Sequence, residues 1–141
     1  MAITQTANAH WEGSLVEGKG NVSLDTSKSG SFEIDWKARA EEAGGKTSPE
    51  ELIAAAHSSC FSMALSLALD KAGHPPTSLD TTAKVTFQPG TGITGSALSV
   101  VGNVPGITAE QFEEAAQDAK ANCPVSQALK IPITLETSFT G

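Results

Sequence analysis

From Leu52 to Leu69 the chain carries no aspartate, glutamate, lysine or arginine, and the residues just before this run spell a helix start. Ser48-Pro49-Glu50-Glu51 supplies an N-cap serine, a proline at the first helical position and a glutamate at the third, the pattern of a capping box. Gly73 and Pro75-Pro76 supply the stop. These signals predict a helix from Pro49 to about Lys71. Its apolar residues, including Leu52, Ile53, Ala56, Phe61, Met63 and Leu67, occupy more than one face, so the helix is expected to be covered on several sides. One chain of 141 residues would struggle to cover it completely. Ala55, Ser59, Ser62 and Ser66, spaced by three and four, would let another element approach closely. A dimer wrapped around this helix is the expectation. The run is close to the minimum for a bilayer span, about 17 residues. Its histidine and four serines, with no basic cluster on either flank, favour burial inside protein instead.

Elsewhere the pattern alternates between strands and helices. Thr4 to Glu12, Asn21 to Thr26 and Ser31 to Trp36 read as strands, followed by a polar loop from Arg39 to Lys46. Leu79 to Gln88 and Ile93 to Asn103 read as two strands joined through Pro89-Gly90-Thr91-Gly92. Thr108-Ala109-Glu110-Gln111 is a second capping box, opening a helix to about Ala121. Pro124 forces a break at Asn122-Cys123, with a short new helix beyond it. Ile133 to Thr140 reads as a closing strand. The order β-β-β-α-β-β-α-α-β predicts a single α+β domain over 1–141, with antiparallel sheets and helices packed on one face.

Charge and cysteine count narrow the chemistry. Nine basic residues against sixteen acidic ones give a formal charge of −7, which argues against nucleic acid and anionic membranes as partners. Tyrosine is absent and aromatics make up 5%, too few for a base-stacking platform. The two cysteines, Cys60 and Cys123, fit a disulfide-stapled secreted domain poorly. Met1 to Glu12 shows no signal-peptide pattern, so the cytoplasm is the expected compartment.

A cysteine attacks as a thiolate and needs a cation or a helix N-terminus to form one. Cys60 lies mid-helix, where neither is at hand. Arg39, the single arginine, could bring that charge, or could be an ordinary surface cation. Cys123, before Pro124, is placed as the N-cap of the short helix, where unpaired N–H groups favour an anion. By local physics it is the better thiolate; it could equally be a small residue filling a kink. Glu51 has the capping position, which leaves Glu50 free to hold a partner such as Arg39. Ten residues of helix put Glu50 about 15 Å along the axis from Cys60. If both serve one site, two antiparallel copies of the helix must pack together. His10, His57 and His74 could combine with the cysteines at a metal, but no CxxC or HxxxH spacing is present. His57, three residues before Cys60, reads as a base, a ligand or a satisfied core residue.

The string Thr47-Ser48-Pro49-Glu50-Glu51-Leu52-Ile53-Ala54-Ala55-Ala56-His57-Ser58-Ser59-Cys60-Phe61-Ser62-Met63-Ala64 resembles the central-helix motif of the OsmC/Ohr family. Asn122-Cys123-Pro124-Val125-Ser126-Gln127-Ala128-Leu129 resembles its second cysteine motif, and His10-Trp11-Glu12-Gly13 and Leu79-Asp80-Thr81-Thr82-Ala83 extend the likeness. The pattern from Ala56 to Ser66 is more similar to the OsmC branch. The resemblance implies an intertwined α+β homodimer, with antiparallel sheets around central buried helices, that reduces organic hydroperoxides and hydrogen peroxide. It implies Cys60 as the peroxidatic cysteine, Cys123 as the resolving one, and Glu50 and Arg39 as the groups that hold the thiolate. Cys60 would become a sulfenic acid and then a disulfide with Cys123, reduced in turn by a lipoyl-type dithiol or a small thiol. No cofactor or metal is required. The competing expectation is a non-enzymatic dimer that senses oxidation or binds a small apolar ligand.

Overall fold

The computed structural model describes residues 1–141 and divides into two units, Met1–Leu52 and Ile53–Gly141. The first unit holds three strands, β1 (Ala7–Glu12), β2 (Lys19–Leu24) and β3 (Ser31–Ile34), in one antiparallel sheet of that order. The third strand stops sooner than expected, because Asp35 caps a short helix, α1 (Trp36–Ala40), with its Oδ1 accepting from Ala38 N–H at 2.7 Å. Arg39 therefore sits on a helix and not at the start of a loop. Lys46 Nζ reaches Asp35 Oδ2 at 2.8 Å, and Thr47 N–H donates to Glu33 O at 3.1 Å. Those bonds return the chain to β3 just before α2 (Pro49–Lys71) begins. Ser48 Oγ accepts from Glu51 N–H at 3.1 Å as the capping box requires. The Glu51 carboxylate takes the Thr47 hydroxyl at 2.6 Å.

The second unit contains the rest of α2 with β4 (Ser78–Gln88), β5 (Gly92–Asn103), α3 (Ala109–Asn122), α4 (Pro124–Ala128) and β6 (Ile133–Thr140). Its sheet has the order β4-β5-β6. β4 and β5 form an antiparallel hairpin whose turn has Gly90 at φ 84°, but β5 and β6 run parallel. The expectation of purely antiparallel sheets is corrected here. The α3–α4 crossover carries the chain back along the sheet, so β6 enters in the same direction as its neighbour.

Core packing in this unit follows two periodicities. On α2, His57, Phe61, Leu65 and Leu69 recur every fourth residue and are all buried. On β5, Ser96, Leu98 and Val100 alternate inward, and Gly102 leaves the space that the Phe112 ring fills. Phe112 in turn stacks on Phe139 with centroids 5.3 Å apart. Gly73, at φ 88°, ends α2: its N–H bonds Asp70 O and that of His74 bonds Leu69 O, a Schellman closure.

α2 is long and apolar enough to cross a membrane, with mean hydropathy 1.6, yet its His57–Leu69 stripe packs into this protein's own core. Burial on several sides is not what one chain provides. Ala55, Ser59, Met63 and Leu67 form an exposed stripe, with Met63 73% and Leu67 54% accessible.

Candidate functional site

The residues singled out in the sequence fall into two clusters, one in each unit. In the first unit, Arg39 extends from α1 to Glu50 at the start of α2. Its Nε donates to both carboxylate oxygens at 3.1 and 3.2 Å, and its Nη2 donates to Oε2 at 2.9 Å. Glu50 is 5% exposed, and Arg39 is the partner that compensates its burial. The guanidinium is a third exposed and borders a cavity of about 340 Å³, with Trp11, Leu15, Ile34, Trp36 and Pro49 on its walls. Of the α2 capping box only the Ser48 half forms; the Glu51 carboxylate turns to the Thr47 hydroxyl, and Glu50 takes Arg39.

In the second unit, Cys60 and Cys123 come together as free thiols. Cys60, from the middle of α2, lines a groove of about 610 Å³ whose other walls include Met63, Ala64, Leu67, Asn122 and Pro124. Cys123 is fully buried behind it, as both the C-cap of α3 and the N-cap of α4. Burial pushes the Cys60 thiol up, and its hydrogen bond to Cys123 pushes the same way, against a smaller opposing effect of the Val125 N–H. Cys123 behaves oppositely. Burial alone would raise it, but the hydrogen bond from Cys60, the Ser126 N–H and hydroxyl, and the Val125 N–H together hold it below the usual thiol range. Its sulfur closes no regular cap bond on α4, yet these donors lie toward it. Within this unit the donors favour a thiolate at Cys123, the Cys60 thiol first among them and the α4 groups after it.

His57 is a satisfied core residue. Its Nδ1 lies 2.7 Å from Ser96 Oγ and its Nε2 2.7 Å from Ser126 Oγ, with the ring fully buried. No cluster of three or more histidine, cysteine or acidic side chains with metal-site geometry exists in the structure. The two serines were invisible to local sequence reading, because they lie 39 and 69 residues away. Burial lowers the His57 pKa from 6.5. An unfolded chain therefore takes up a proton below about pH 6.5 that the folded chain refuses, and stability falls as pH drops. Thermal melts between pH 7.5 and 5 should show this loss, at up to about 1.4 kcal/mol per pH unit, and His57→Gln should flatten it.

An α+β chain with two contacting thiols, one at an apolar groove and one sealed behind it, is the kind of protein built for reversible cysteine oxidation. Comparison with known proteins gives this class a family. A family model described as OsmC-like protein matches residues 41–138. The peroxiredoxin OsmC of Escherichia coli (strain K12) is 49% identical over 96% of both chains. An organic hydroperoxide resistance protein from Elizabethkingia anophelis superposes with a TM-score of 0.67 at 27% identity, over 100% of this chain and 99% of that one. An OsmC-like protein from Mycoplasma pneumoniae shares the fold at a TM-score of 0.74 and 14% identity, covering 100% of each chain. The chain belongs to the OsmC-like protein family.

Proposed function

We propose that this protein is a cysteine-based peroxidase that reduces organic hydroperoxides and hydrogen peroxide with electrons from an external dithiol or thiol. The observation that carries the reading is Cys60 at the apolar groove in contact with buried Cys123. The groove suits the carbon skeleton of an organic hydroperoxide, and the 49% identical relative named a peroxiredoxin supports the same chemistry.

In this reading the Cys60 thiolate attacks the distal peroxide oxygen, the O–O bond breaks, and the leaving alkoxide takes a proton to become an alcohol. Cys60 is left as a sulfenic acid. Cys123 attacks its sulfur, hydroxide departs as water, and a Cys60–Cys123 disulfide remains. A dithiol restores both thiols by exchange. No cation acts on the Cys60 thiol within its own unit, although Lys71 lines the same groove, and burial and Cys123 both oppose its ionisation. We assign that role to Arg39, held by Glu50. Ten residues of helix separate Glu50 from Cys60, about 15 Å. A second copy is therefore assigned to complete each site, packed on the exposed Ala55–Ser59–Met63–Leu67 stripe. The whole chain, 1–141, then acts as one domain within a homodimer, in the cytoplasm, where thiol reductants are abundant.

Steady-state consumption of cumene hydroperoxide with a dithiol tests the reading. Turnover that needs both substrates, with hydrogen peroxide also consumed, is the expected result. Binding of the hydroperoxide without consumption would favour a non-enzymatic ligand-binding dimer instead.

A further inference from the structure

The peroxidase cycle leaves one buried titratable side chain without a task. His57 is fully buried, and Ser96 and Ser126, which engage its two nitrogens at 2.7 Å each, are 2% and 7% exposed. Burial keeps the ring neutral, so it has one N–H and one lone pair. The three residues can then be ordered in only two ways. In one, the Ser96 hydroxyl donates to Nδ1, Nε2–H donates to the Ser126 oxygen, and the Ser126 hydrogen remains available to a third group. In the other every direction reverses, and Ser126 gives its hydrogen to Nε2. Ser126 is the third residue of α4 and Cys123 is the N-cap of that helix, so the hydroxyl shares a helical turn with the sulfur. The hydroxyl favours the Cys123 thiolate, which it does as a donor, and only the first ordering frees its hydrogen for that.

We propose that Ser96, His57 and Ser126 are positioning residues for Cys123, directing the Ser126 hydroxyl proton at its sulfur when that sulfur leaves as a thiolate during reduction of the Cys60–Cys123 disulfide. The proposal rests on the peroxidase reading above. Accessibility decides which sulfur a reductant attacks: Cys60 is partly exposed on the groove, and Cys123 is sealed. The incoming thiolate bonds to the Cys60 sulfur, the S–S bond breaks, and its electron pair passes to Cys123. The reductant's second thiol, having given its proton to solvent, then attacks its own sulfur in the mixed disulfide and releases Cys60 as a thiolate. Exchange runs faster when the leaving thiol is more acidic. Val125 and Ser126 N–H groups are fixed by the helix, whereas a serine hydroxyl can rotate toward any acceptor. His57 removes that freedom by occupying the Ser126 oxygen from the other side. The ionisable groups around the pair are few. Cys60 and His57 come from α2, the groove adds Lys71 of α2 and Asp118 of α3, and β5 contributes only the uncharged Ser96.

Two measurements test this. In a Cys60→Ser background, the Cys123 thiolate is titrated by its ultraviolet absorbance, with and without Ser126→Ala. In the chain with both cysteines, the disulfide formed by peroxide is reduced with dithiothreitol under the same substitution. Ser126→Ala is expected to move the Cys123 titration upward and to slow reduction by about threefold or more. Ser126→Thr, which keeps the hydroxyl, should restore both. An unchanged titration with a wild-type reduction rate overturns the proposal, as does Ser126→Thr behaving like Ser126→Ala. If Ser126→Ala does not fold, Ser96→Ala at the far end should move the titration in the same direction, and no movement is equally fatal. Failure of peroxide to form the disulfide in the unsubstituted chain would instead overturn the peroxidase reading itself.

Discussion

Cys60→Ser is expected to lower hydroperoxide turnover by roughly 10³-fold or more, to the uncatalysed background. A serine hydroxyl at this position is essentially never ionised, and no other thiol borders the groove. Cys123→Ser should behave differently. Its Cys60 can still be oxidised once by peroxide, but without a resolving thiol the sulfenic acid persists and climbs to the sulfinic state under excess peroxide. A dithiol reductant should recover part of the activity by attacking the sulfenic acid directly. The contrast between a dead nucleophile and a stalled cycle separates the two roles, which a general folding defect would not. Both variants remain informative because serine is a close match in size for each sulfur, including the fully buried one.

The second large effect concerns the Arg39–Glu50 pair. Glu50→Ala removes three hydrogen bonds that fix the guanidinium. Arg39 is a third exposed and can hydrate in response, so the fold should lose little. Activity should fall by about 100-fold, because a misplaced cation no longer meets the reacting sulfur. Arg39→Met is the harsher change: it leaves the Glu50 carboxylate, 5% exposed, without a partner, and breaking such a pair costs about 3 kcal/mol or more. Glu50→Ala is therefore the cleaner probe of function. Mixed dimers of Glu50→Ala and Cys60→Ser subunits then test the assignment across copies. If each site takes its carboxylate from one copy and its thiol from the other, one site carries both lesions and the other is intact, leaving about half the wild-type activity per dimer in a symmetric assembly. Near-complete loss would mean that one chain supplies both residues.

Much of this arrangement is local and so was legible. The caps at Ser48 and Thr108, the Pro124 break and the Gly73 stop are short-range signals, and α2, α3 and α4 begin and end within about a residue of where those signals put them. The N-cap place of Cys123 followed from one proline, whereas the hydrogen bond from Cys60, the largest effect favouring its thiolate, comes from α2 and could not be read locally. Helix α1 was missed because Phe32, Ile34 and Trp36 continue an alternating run. Asp35 was its only start signal, and the third helical position holds Ala38, not a glutamate or glutamine. The parallel partner of β5 depends on how the α3–α4 crossover returns, which no periodicity within β6 records. The hydrogen-bonded ring of His57 was illegible for the same reason: its partners come from β5 and α4. Arg39 and Glu50 could be paired by elimination, but the three-bond geometry could not.

The most direct test asks which sulfur peroxide oxidises first, since the acidity within one chain favours Cys123 while the proposed mechanism requires Cys60. The reduced protein is treated with one equivalent of cumene hydroperoxide in the presence of dimedone, which traps sulfenic acids, and the modified peptides are identified by mass spectrometry. The expected result is a Cys60–Cys123 disulfide in the wild type and a dimedone adduct on Cys60 in the Cys123→Ser variant. An adduct on Cys123 in the Cys60→Ser variant, formed as fast as the wild type consumes peroxide, would contradict it.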